Sequence, residues 1–94
     1  MKIPKKIKIG GYEFIVTYHD TLKDPPNDND ECVGKCDYVN FSIKIINGLK
    51  RQQELTTFLH ECLEAVNFVY GVGLKHKQIE ALESAVFQLI QQIK

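Results

Sequence analysis

The chain has 94 residues, 44% of them hydrophobic, and its twelve basic side chains balance twelve acidic ones. A chain of this length supports one hydrophobic core, so residues 1–94 form a single domain, and the apolar content excludes a disordered polymer. Zero net charge provides no global field to gather nucleic acid or an anionic membrane surface, and no apolar run is long enough to span a bilayer.

From Ile3 to Tyr18 the apolar residues alternate: Ile3, Ile7 and Ile9, then Gly10-Gly11, then Tyr12, Phe14, Val16 and Tyr18. Period-two alternation about a glycine pair predicts a β-hairpin. Residues 20–31 hold acids and turn formers, including Asp24-Pro25-Pro26-Asn27-Asp28-Asn29-Asp30-Glu31, and predict an acidic loop. A second strand pair follows over Cys32–Val39 and Phe41–Ile46, with Val39-Asn40-Phe41 as its tight connection and Asn47-Gly48 closing the sheet.

The period then changes. Leu55, Phe58, Leu59, Cys62, Val66 and Val69 share one face of a 3.6-residue helix over 50–70, which Gly71-Val72-Gly73 stops. A second amphipathic helix over 75–93 carries Ile79, Leu82, Val86, Leu89, Ile90 and Ile93 on its apolar face. The expected fold is α+β: a four-stranded antiparallel sheet of two hairpins over 1–46, then an antiparallel two-helix hairpin.

Chemistry concentrates at His60-Glu61-Cys62-Leu63-Glu64. Residues four apart on a helix share a face, so His60 and Glu64 can grip one ion from the same side. Glu61 lies about 100° round the helix, beside the ion rather than on it, where a general base for a metal-activated water belongs. Zinc accepts imidazole and carboxylate ligands and in catalytic sites takes three of them. The third must come from the second helix. If the turn centres near Val72, residues 80–84 return opposite 60–64, which favours Glu83 by position. His76 is the alternative by ligand chemistry, since it restores two histidines and one carboxylate. Cys32 and Cys36, if on one extended strand, point to the same face.

The chain resembles the small zincin-type metallopeptidases common in bacteriophage and prophage genomes, related in plan to the minimal gluzincins. The resemblance rests on Lys8-Ile9-Gly10-Gly11-Tyr12-Glu13-Phe14, Gly34-Lys35-Cys36-Asp37-Tyr38, Ser42-Ile43-Lys44-Ile45, the stretch from Thr57 to Val66 and Leu82-Glu83-Ser84-Ala85. It implies a zincin-like fold with His60, Glu64 and Glu83 as metal ligands and Glu61 as the base. It also implies an edge strand at Ser42, Ile43, Lys44 and Ile45 that holds an extended peptide by strand addition. The chain departs from the familiar pattern at Glu64, where a second histidine is usual. A set with two carboxylates suits manganese or iron as well as zinc and weakens the ion as a Lewis acid.

The expectation is therefore a metal-dependent peptidase acting on a peptide or protein partner. The alternative is an inactive phage protein of the same fold that works through protein–protein contacts or assembly, in a homo-oligomer for instance. Three cysteines, an odd count, with a start that lacks the pattern of a secretory signal, predict a cytoplasmic protein, in the host cell if phage-encoded.

Overall fold

A computed structural model describes residues 2–24 and 27–93, and the side chains of these residues other than 23–31. Strands β1 (Lys6–Ile9), β2 (Tyr12–His19), β3 (Lys23–Asp24), β4 (Asn27–Glu31), β5 (Gly34–Asp37) and β6 (Ser42–Ile46) precede helices α1 (Arg51–Tyr70) and α2 (His76–Ile93). The α+β order and both helices fall where the hydrophobic period places them. Among the described residues no helix is long and apolar enough to cross a membrane.

The sheet is mixed, not purely antiparallel as expected. Its strand order is β1-β2-β6-β5. The β1–β2 and β5–β6 pairs are antiparallel hairpins, but β2 and β6 join in parallel, with Ile15 opposite Ser42 and His19 opposite Ile46. Hairpin signals link neighbours in sequence and leave open which strands of two hairpins meet. The link after β2 carries the chain past one strand position, so β5 lands at the rim and β6 fills the gap. That link is not the plain loop expected over residues 20–31, because β3 and β4 form a small antiparallel ladder of their own. Pro25 and Pro26 lie outside the described residues.

One face of the sheet carries the core. Phe14 and Val16 of β2 and Ile43 and Ile45 of β6 alternate inward and meet Ala65 of α1, with Ile9 closing one end. Removing such side chains from water is worth roughly 1.5–3 kcal/mol each. The β5–β6 turn is fastened by Asp37, whose carboxylate accepts N–H bonds from Val39 at 3.0 Å and Asn40 at 3.1 Å. Bonds from Asn40 above all hold the Asp37 carboxyl down at about 2. Phe41 then adopts φ of 51° and stacks on Tyr12 at 4.8 Å.

α1 lies between the sheet and α2, which explains its mixed face. Phe58, Cys62, Val66 and Val69 pack toward the core, yet Thr57 and Glu61 are also buried. Among the described elements α2 packs only on α1. Its buried residues are Ile79 and Phe87, while Leu82, Leu89 and Ile93 of the expected apolar face are exposed. The helix is turned so that the row Ile79–Glu83–Phe87 faces α1, and this places Glu83 in the seam.

Candidate metal centre

The geometry of the site begins with how the two helices are joined. α1 opens with an Arg51–Glu54 ion pair at 2.6 Å, Glu54 lying near the positive end of the helix dipole. It ends at Gly71, whose left-handed backbone (φ 59°) lets its N–H return to the Asn67 carbonyl. The Asn67 side chain then clamps the turn. Its Oδ1 accepts from the Leu74 N–H at 2.8 Å and its Nδ2 donates to the Leu74 carbonyl at 3.0 Å. Gln78 Oε1 accepts the Lys75 N–H at 2.8 Å, as a capping residue does at a helix start. His76, the first residue of α2, is thereby held over α1.

His60, Glu64 and His76 converge. One ligand atom from each lies within 4.8 Å of the others. The His60 and His76 rings meet edge to face at 5.5 Å. Two imidazoles and one carboxylate match the ligand set of a catalytic zinc ion, and the same set serves iron(II). The donor chemistry therefore fits a divalent transition metal.

Glu83 stands behind His60. His60 Nδ1 lies 2.7 Å from Glu83 Oε1, and in the neutral tautomer that donates from Nδ1 the other ring nitrogen, Nε2, is the one with a free lone pair. Carboxylate partners of this kind orient ligating histidines and raise their basicity. Of the two residues weighed for the third ligand, His76 is in the cluster and Glu83 is bonded to a member of it. The pairing of 60 with 83 agrees with a turn centred near Val72. Glu80 lies 3.8 Å from His76, a long and exposed pair worth little.

The cluster opens into a cleft of about 680 Å³, whose lining includes Gly34, Cys36, Tyr38 and Glu61. Glu61 is only 7% exposed. Its carboxylate reaches the cleft floor beneath β5: a Cβ built on Gly34 would stand 3.1 Å from Glu61 Oε2. Burial, and then the nearby Glu61 and Glu64, push the Cys36 thiol up to about 12. Burial, helped by Glu61, does the same to Cys62, also to about 12. Both thiols therefore stay protonated at neutral pH. Burial likewise raises the Tyr38 hydroxyl above its usual range. The Tyr38 ring stacks on Phe68 of α1 at 4.4 Å.

The edge strand is corrected. Ser42, Ile43, Lys44 and Ile45 belong to β6, which pairs with β2 on one side and β5 on the other, so they offer no free edge. The rim strand beside the site is β5, Gly34–Asp37. Sequence reasoning reached His60, Glu61, Glu64, His76 and Glu83 but not the cleft wall made by Gly34, Cys36 and Tyr38. Their spacing of two residues was a usable signal, since on one strand they share a face. Cys32 also lines the cleft.

No protein-family model, curated protein or solved structure matches this chain.

Proposed function

We propose that this chain is a small metal-dependent hydrolase that cleaves a peptide bond in an extended segment of a peptide or protein, with the zincin-like plan its motifs resemble. The observation that carries the reading is the convergence of His60, Glu64 and His76 at a cleft that also holds the buried Glu61. His60, Glu64 and His76 would hold the ion, zinc by preference, with iron or manganese as substitutes. A bound divalent ion supplies a Lewis acid for the scissile carbonyl and makes a water nucleophilic near neutral pH. Glu61 takes the proton of the attacking water and returns it to the leaving amine. Glu83 fixes the orientation of His60 through Nδ1. The rim side of β5, which pairs with no other strand among the described residues, offers its backbone to an extended substrate, as strand addition requires. The proposed location is a host-cell cytoplasm, which keeps thiols reduced.

The test is metal content and turnover in protein purified without chelators. One ion per chain is expected in the native protein and in Glu61→Gln, and a loss of binding in His60→Ala and His76→Ala. Turnover should be confined to the native chain. Absence of metal at micromolar zinc sinks the hydrolase.

One observation favours a second reading, an inactive relative acting in assembly. Leu82, Leu89 and Ile93 leave an apolar stripe on the outer face of α2 at 38%, 56% and 82% exposure, of the kind that a second copy or another protein covers. No metal in the native chain, with binding gained in Glu64→His, selects that reading.

A further inference from the structure

Gly34 is a point of close approach between the rim strand and α1. A Cβ built there would lie 2.5 Å from Thr57 Cγ2, 3.1 Å from Glu61 Oε2 and 3.2 Å from Glu61 Cγ. Real Cβ atoms do not come within 3 Å of such neighbours, so any side chain forces a displacement. Conformation does not require the glycine. The left-handed glycines are Gly10, Gly48, Gly71 and Gly73, whereas Gly34 sits in an ordinary strand. Space alone requires it.

The contact falls where it bears on chemistry. Strand residues two apart face the same way, so Gly34 and Cys36 of β5 both turn toward α1, and Tyr38, the first residue of the turn that follows, meets the same helix. Tyr38 meets Phe68, and Gly34 meets Thr57 and Glu61. Larger side chains fit at Cys36 and Tyr38, but at Gly34 the Thr57 methyl occupies the space a side chain would need, and the Glu61 carboxylate crowds it from beside. Thr57 and Glu61 are one turn apart on α1 and both buried, so they share the surface that β5 covers.

We propose that Gly34 is a positioning residue for Glu61: lacking a side chain, it lets the rim strand close on α1, and its main chain forms the wall that fixes where the Glu61 carboxylate stands in the cleft. The role of Glu61 as base rests on the hydrolase reading above, whereas the contact does not. A side chain at 34 has two ways out. Either β5 lifts from α1, or the Glu61 carboxylate swings aside. Both move the base relative to His60, Glu64 and His76, which α1 and α2 hold independently of β5. The ion site and the base are thus separable.

The experiment combines a stability cycle with a functional split. Gly34→Ala is made in the native, Thr57→Ser and Glu61→Ala backgrounds. Overpacking predicts a fall in melting temperature of about 5 °C or more in the native background, and at most half of that in the other two, where a clashing group is gone. A folded double variant with an unfolded Gly34→Ala counts as the same coupling. Equal losses in all three backgrounds overturn the contact.

In zinc-loaded protein, Gly34→Ala should retain native zinc content and KM on labelled casein while kcat falls roughly a hundredfold. Thr57→Ser, which removes the methyl of the 2.5 Å contact, should recover part of that loss. A folded Gly34→Ala with native kcat overturns the positioning role. Native protein that carries stoichiometric zinc yet leaves casein uncut sinks the hydrolase reading alone, and the stability cycle then decides the contact.

Discussion

His60 shows how one side chain is committed from two directions. Its Nδ1 meets Glu83 across the helix seam while the same ring belongs to the group with Glu64 and His76. Removing the acceptor frees the ring to rotate and to place its proton on either nitrogen. Glu83→Ala is therefore expected to weaken zinc binding by about ten- to a hundredfold without abolishing it, whereas His76→Ala should abolish it. Competition titration with a chromophoric chelator measures both. Equal and complete loss in the two variants would make Glu83 a ligand after all. At the same scale, Ile43 is fully buried beneath α1, and Ile43→Ala should cost about 2–5 kcal/mol in chemical denaturation.

At the scale of elements, two turns do the positioning. The β5–β6 turn depends on Asp37, and Asp37→Ala should cost about 1 kcal/mol, read by urea denaturation. Its carboxyl is held below the ordinary range in the folded chain. The stabilisation is thus complete above the unfolded carboxylate pKa and is lost as pH falls through about 2. A stability profile for native protein minus that for Asp37→Ala should be flat near neutrality and shrink on acidification. The inter-helix turn depends on Asn67, whose two bonds to Leu74 set where α2 begins. Asn67→Ala should lower zinc affinity by moving His76 while His60 and Glu64 stay in place, and the same chelator titration reads it.

These elements also show what the sequence discloses. The helical periods around Leu55–Val69 and Ile79–Ile93 mark both helices, and the separation of 60 from 83 fixes their register, because each is local or involves one short turn. The parallel junction of β2 with β6 left no local trace, since it depends on where a long link delivers β5. The burial of Glu61 was hidden for a related reason. It arises from contact with a glycine 27 positions earlier in the chain, and no helical wheel contains that contact. His76 sits near Glu64 because its ring reaches back along the seam, a distance that residue counting along the axis underestimates.

Across the whole molecule, the parallel junction has a consequence for the order of assembly. Each hairpin closes over a few residues, but pairing Ile15 with Ser42 requires a loop of 27 to be drawn shut, and chain entropy makes such distant pairings late events. The β1–β2 hairpin and the helical pair can form from neighbouring residues, whereas β5 is tied to the sheet through β6 alone. Pulse-labelled hydrogen exchange during refolding should find the amides of β1–β2 and α1 protected before those of β5. Simultaneous protection would show that the two hairpins dock as one. On this order of assembly the rim strand that walls the cleft is the piece expected to arrive last.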